Sequence, residues 1–186
     1  MLNHVGTLTI ETERLILRKF TYTDNDCMFK YWISDKEIQS LYGEPVYETK
    51  EKVKELLDKY ISSYDKDDYY RWAIINKETE ECIGQIAYFL VDSKNHFAEI
   101  EYCIGSKFQR KGLATEATKS IIEFGFNKIN LHKVQICHKS INNPSKRVIE
   151  KCGFTYEGTL RDYFYDGERY TSRLYYSILK NEFINN

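Results

Sequence analysis

The sequence predicts a mixed α/β fold, α+β in arrangement, occupying one domain over residues 1–186. Three observations predict it. Seven strand-like runs are interrupted by helical patterns in the order β α α β β β α β α β β. The middle of the chain reads strand, glycine-bearing loop, helix, strand, which is a crossover, whereas the runs before it follow one another closely enough to pair antiparallel. Only two prolines occur and no Gly/Ser-rich stretch appears, so nothing reads as a linker.

The first strand is expected over 8–20, with Leu15 and Leu17 on one face. Thr23 or Asp24 is placed to cap a short helix reaching Ile33. Over 48–64, Val53, Leu56, Leu57, Tyr60, Ile61 and Tyr64 recur at helical spacing while Lys and Glu fill the other face, predicting an amphipathic helix packed on a sheet. Strands follow at 69–76 and 82–91 around the polar turn Lys77–Glu81. The second is apolar on both faces and therefore central. Another strand spans 97–104. Gly105–Lys111 is a loop opening a helix over 112–128 with Leu113, Ala117, Ile121 and Phe124 as its stripe. After a strand at 133–138, Asn142 or Asn143 caps a helix with Pro144 in its first turn, ending at Gly153. Aromatic-rich strands at 154–164 and 169–179 flank the turn Asp166–Gly167.

Composition excludes several classes. With 27 basic and 28 acidic residues the net charge is −1, so nothing global favours nucleic acid or an anionic membrane. No apolar run approaches the roughly 20 residues needed to span a bilayer. The first residues lack a signal peptide's apolar stretch. Five scattered cysteines without a CxxC pair read as reduced thiols, hence a cytoplasmic protein. The four histidines make no metal pattern. His132 and His138 flank a strand and read as surface or strand-end residues. No metal is expected.

The segment Gln109-Arg110-Lys111-Gly112-Leu113-Ala114, between a strand and a helix, is an anion site on physical grounds. A helix N-terminus offers free N–H groups and positive potential, glycine admits a phosphate close to the backbone, and Arg110 and Lys111 add charge. It is neither a Walker loop nor a Rossmann fingerprint. It resembles the Gln/Arg-x-x-Gly-x-Gly/Ala motif of the GNAT acetyltransferases. Asn142 through Phe154 resembles the N-x-x-S-x-x-hydrophobic-x-E-K-x-G-F segment of that superfamily's ribosomal-protein (Rim-type) N-terminal acetyltransferase branch. Residues 10–20 and 157–180 resemble that branch's first strand and last hairpin, so the likeness covers about residues 8–183.

The resemblance implies the GNAT fold, a central mixed and mostly antiparallel sheet of about seven strands with helices on both faces. It implies acetyl-CoA as cosubstrate and a primary amine, either a protein N-terminus or a small amine, as acceptor, in a monomer or homodimer. Gln109, Arg110, Lys111, Gly112, Leu113, Ala114 and Thr115 would hold the pyrophosphate. Backbone groups of Tyr102, Cys103 and Ile104, with Asn142 and Ser145, would hold the pantetheine arm and thioester. Ser145 would bind the arm or relay a proton to the thiolate, and capping is its plainer role. Tyr42, Glu44, Tyr163 and Tyr165 would wall the acceptor cleft, whereas Trp32 reads as packing.

Strand alternation puts Glu99, Glu101 and Cys103 on one face. Two close carboxylates on a central strand would repel, raising one pKa and making a general base, Glu99 ahead of Glu101. The competing reading is a salt bridge to a neighbouring Lys or Arg. A nucleophilic cysteine is not indicated. Ile149 stands where many GNAT enzymes carry an acid tyrosine, which leaves a second reading open, a catalytically inactive acetyl-CoA sensor. Thr171-Ser172 stands where the branch has Asp, so the acceptor is expected to differ from ribosomal-protein termini.

Overall fold

The computed structural model describes residues 1–184. One sheet of eight strands runs in the order β1-β2-β3-β4-β5-β6-β8-β7. Its strands are β1 (Ile10–Glu11), β2 (Leu15–Arg18), β3 (Tyr70–Asn76), β4 (Cys82–Asp92), β5 (Phe97–Ile104), β6 (Lys133–Lys139), β7 (Thr155–Tyr165) and β8 (Tyr170–Leu179). All neighbours are antiparallel except β5 and β6, the parallel pair joined by the crossover.

The helices are α1 (Asn25–Met28), α2 (Lys36–Tyr42), α3 (Lys50–Ser62), α4 (Leu113–Phe124), α5 (Asn143–Lys151) and α6 (Lys180–Ile184). They lie on both faces. On one, the α3 ring of Tyr60 stacks 4.5 Å from the Arg71 guanidinium of β3. On the other, α4 meets the next residue along β3, with Phe124 edge-on to Trp72 at 5.4 Å. Alternation along one strand thus feeds two layers. Val53 and Leu57 of α3 are wholly buried, each contributing about 1.5–3 kcal/mol by burial.

Four details correct the sequence reading. The run 8–20 breaks at Thr12–Arg14 into two strands, giving eight strands instead of seven. The break lets Thr12 Oγ1 donate to Glu116 of α4 at 2.6 Å. Thr21 precedes a first, tighter turn at Tyr22–Asp24, and Asp24 does precede α1 but its side chain makes no cap bond to it. Asp24 sits three residues on and its carboxylate accepts from the Thr21 N–H at 2.8 Å. That turn continues through α1 into a wider π turn at Phe29–Ile33. Helices α2 and α6 were not foreseen. His138 is buried, its Nδ1 2.7 Å from the Lys139 carbonyl and its Nε2 3.3 Å from the Tyr176 hydroxyl. Among the described residues no helix is long and apolar enough to cross a membrane.

Candidate active site

The site begins where two parallel strands part. β5 and β6 pair from Phe97↔Lys133 to Ile100↔Ile136 and no further. Beyond that register β5 stays on β4 through Ile104, and β6 stays on β8 through Lys139. The facing edges of Glu101–Ile104 and Cys137–Lys139 therefore diverge with their mutual backbone bonds unmade. A cavity of about 680 Å³ opens there. Tyr102, Cys103 and Ile104 line one wall, Asn142 and Ser145 the other, and the start of α4 the floor.

That floor is built for an anion. Gly112 precedes α4 at φ 79°, a left-handed conformation that suits glycine, and Arg110 is left-handed as well at φ 61°. The first bond inside the helix runs from the Glu116 N–H to the Gly112 carbonyl at 3.0 Å. The N–H groups of Leu113, Ala114 and Thr115 are consequently free at the positive end of the helix dipole. Gln109 is tied back by its Nε2 to the Ile104 carbonyl at 3.0 Å. Of the expected cofactor residues only Lys111 does not line the cavity. Its side chain lies toward the Phe108 ring and its carbonyl is held elsewhere.

What holds that carbonyl is Arg14. Its Nη1 donates to the Lys111 carbonyl at 2.9 Å, while Nε and Nη2 both reach Glu116 Oε2 at 2.7 Å. Glu116 Oε1 also accepts from the Arg14 backbone N–H and from Thr12. Burial would push this carboxylate up, but the bonds from Thr12 and Arg14 outweigh it and hold it below its ordinary range. A Cβ added at Gly112 would lie 3.4 Å from Arg14 Nη2. The turn between β1 and β2 thus clamps the phosphate loop, a contact across about a hundred residues that no local pattern announces.

Glu99 and Glu101 share a face, as alternation requires, but each has its own guanidinium. Arg71 Nη2 reaches Glu101 Oε1 at 2.5 Å, and Arg173 Nη2 reaches Glu99 Oε1 at 2.6 Å. The register explains the first pair. Arg71 opposes Ala87 and Ala87 opposes Glu101, so the arginine crosses β4 over a methyl group. The two acids are therefore separately paired, which is the salt-bridge alternative. They differ in access, since the Glu99 side chain is 7% exposed and that of Glu101 21%. Glu101 also belongs to the diverging part of β5, whereas Glu99 is still paired to Gln135.

Around Glu101 lies a polar cluster beside α2 and α3, of which Tyr42 lines the cavity and Glu101 and Glu44 do not. Gln85 accepts from Arg71 Nη1 and donates to the Tyr42 hydroxyl, both at 3.1 Å. Tyr42 lines the cavity, and burial followed by the Glu101 charge raises its pKa. Glu44 is raised by burial, then by Glu101. Arg173 forms a second hub, donating also to Cys137 Sγ and the Tyr163 hydroxyl at 3.1 Å each. The Cys137 thiol, pushed up to about 11 by burial first, is not a ready nucleophile. Tyr165 is brought to neither cluster; it packs on Tyr170 and bonds the Gly167 carbonyl.

On the far wall Asn142 caps α5, its Oδ1 accepting from the Ser145 N–H at 3.1 Å. Ser145 Oγ is thereby left for another partner, and the Tyr102 hydroxyl donates to it at 3.1 Å. The Tyr102 side chain had been assigned no role, since only its backbone was expected to act. Ile149 is fully buried and offers the cavity nothing. Trp32 is packing, as read. Asp35, just before α2, and Glu37 and Ile38 within it also line the cavity and were missed with that helix. The signals were Asp35 as N-cap and Gly43 as the left-handed C-cap.

Comparison with known proteins agrees with this architecture. The sequence profile of the Acetyltransferase (GNAT) domain family matches residues 14–155. An uncharacterized N-acetyltransferase, p20, of Bacillus licheniformis is 32% identical over 94% of this chain and 98% of its own length. The spermidine N(1)-acetyltransferase of Vibrio cholerae is 28% identical over 82% of this chain and 86% of its own. A GNAT-family acetyltransferase from Bacillus anthracis superposes with a TM-score of 0.83 at 27% identity, covering 94% of this chain and all of that one.

Proposed function

The chain belongs to the GNAT family and is an acetyl-CoA-dependent N-acetyltransferase, and we propose that it transfers the acetyl group directly to a small primary amine with Glu101 as the general base. The observation that carries this is the parting of β5 and β6 into a cavity continuous with the free N–H groups of α4. An extended cosubstrate with a diphosphate at one end and a thioester at the other fits that shape. The glycine-opened cradle accepts the phosphates, and the unpaired edge of Tyr102–Ile104 accepts the arm.

Acetyl-CoA supplies the activated acyl group. The residues do the rest. An unpaired N–H of β5 polarises the carbonyl, a backbone donor fixed by the sheet before reaction. Glu101 takes the proton from the acceptor ammonium, directly or through one water, using Oε2, which bonds to nothing among the described residues. Arg71 holds the other oxygen and fixes the carboxylate's aim. This assignment moves the base from Glu99 to Glu101, on access and on position in the diverging segment.

The acceptor is read from the cluster and from likeness. Tyr42, Glu44 and Glu101 present aromatic and acidic groups suited to a cation. A relative named for spermidine acetylation supports a small polyamine as acceptor. Thr171 is buried and Ser172 is stitched to Ser140, so neither replaces the Asp that the Rim-type branch carries. Glu101→Gln should lower turnover about 10²–10⁴-fold with acetyl-CoA affinity kept, and Glu99→Gln less. An unchanged rate in Glu101→Gln would remove it as the base.

A further inference from the structure

Ile149 is buried where a tyrosine acid would stand, so another side chain must meet the departing sulfur. A tyrosine hydroxyl nevertheless enters the cavity from the opposite wall. Tyr102 leaves β5 on the α4 and α5 side, at the point where β5 and β6 have parted, and its hydroxyl donates to Ser145 Oγ at 3.1 Å. Both side chains line the cavity. We propose that Tyr102 is a positioning residue that holds Ser145 so that the serine's own proton points at the thioester sulfur. The proposal rests on the acetyl-transfer reading above.

The donor count leads to this orientation. A serine hydroxyl has one proton and two lone pairs, and a phenol likewise has one proton. If Ser145 donated to Tyr102, the proton of the half-buried phenol would need another acceptor, and Tyr102 makes no other hydrogen bond among the described residues. With Tyr102 donating, the phenol proton is satisfied and the serine proton is the one left facing the cavity. Burial also raises the phenol's pKa, so it keeps its proton at any working pH. The phenol proton is already given to Ser145, and the role left to Tyr102 is orientation. Asn142 completes the arrangement by taking the Ser145 backbone N–H, so Oγ is not used as a cap.

When the amine nitrogen bonds to the acyl carbon, the C–S bond breaks and its electron pair goes to sulfur. The Ser145 O–H stabilises that charge by a hydrogen bond. Water supplies the proton that turns the thiolate into the released thiol, and Glu101 and solvent take the protons lost by the nitrogen.

The test uses CoA itself, whose thiol reports the sulfur's surroundings without any acceptor. The bound thiol is titrated through the ultraviolet absorbance of its thiolate. A hydrogen bond to a charged group predicts a bound pKa about one unit below that of the free thiol. Tyr102→Phe, which keeps the ring and its packing, should raise the bound value by about one unit. Ser145→Ala should do the same, and the double variant should shift no further than either single one. An unchanged titration in Tyr102→Phe, or a double shift equal to the sum, overturns the proposal. If Tyr102→Phe does not fold, Ser145→Ala alone decides, and an unmoved thiol pKa refutes it. Failure of the wild-type protein to bind CoA would overturn the acetyl-CoA reading itself, a separate result.

Discussion

Removing the Arg14 side chain should loosen the phosphate loop while leaving the fold intact. Arg14→Ala deletes a three-point guanidinium contact, two bonds to Glu116 Oε2 and one to the Lys111 carbonyl. Charge-assisted bonds are worth about 1.5–3 kcal/mol each when enclosed. Here the arginine side chain is 46% exposed, so solvent screening reduces the pair toward the 0.2–1 kcal/mol of surface bridges. The carbonyl bond and the two contacts to one oxygen act together, and a net loss of about 1 kcal/mol at the loop is reasonable. That corresponds to roughly fivefold weaker CoA binding. Calorimetric titration with CoA measures it directly. Arg14→Lys separates geometry from charge, because lysine keeps the charge but cannot hold Glu116 and Lys111 together. It should recover less than half of the lost affinity. Unaltered CoA affinity in Arg14→Ala would refute the clamp, and full rescue by lysine would reduce Arg14 to a general positive charge.

Gly112→Val should abolish the thermal stabilisation that CoA gives while the protein still folds, because a β-branched residue at φ 79° must distort the cradle; an unaltered CoA shift would place the anion site elsewhere. Glu116, held below its unfolded value, contributes stability that is present above the unfolded pKa of about 4.3 and is lost as pH falls through the lower folded value. Glu116→Gln should therefore flatten the acid limb of a melting-temperature-against-pH curve, and an unchanged limb would contradict the pairing. Tyr163→Ala should lower turnover no more than Glu99→Gln does, since Tyr163 supports Arg173 and through it only Glu99, while Tyr165→Ala should leave kinetics alone. A change in acetyl-CoA affinity instead would assign the hairpin to the cofactor side.

Much of the fold could be read from local pattern. The α3 stripe, the polar Lys77–Glu81 turn and the Asn142 cap are each decided by residues within a few positions, and the structure has all three. The cradle was legible for the same reason, since Gly112 and the helix it opens are adjacent in the chain. Contacts across strands were not. Nothing near Thr12 or Arg14 announces that they turn toward Glu116, so the first strand read as continuous. Nothing near Glu99 or Glu101 names its arginine, although a lone Arg in each of the apolar strands β3 and β8 was a usable sign of a buried acid partner. Helix α2 has only seven residues, too few for periodicity to show, and its caps were its one signature. The Tyr102–Ser145 bond joins residues 43 apart and depends on β5 and β6 parting, which only the register reveals.

The most direct test is amine-dependent thiol release from acetyl-CoA by the purified protein, read across diamines, polyamines and peptides with free N-termini, with the acetylated product identified by mass. Release should require a primary amine, be greatest with a polycationic small amine, and fall about 10²–10⁴-fold in Glu101→Gln. Tight acetyl-CoA binding with no amine consumed anywhere in the panel would contradict it and leave a protein that senses the cosubstrate without using it.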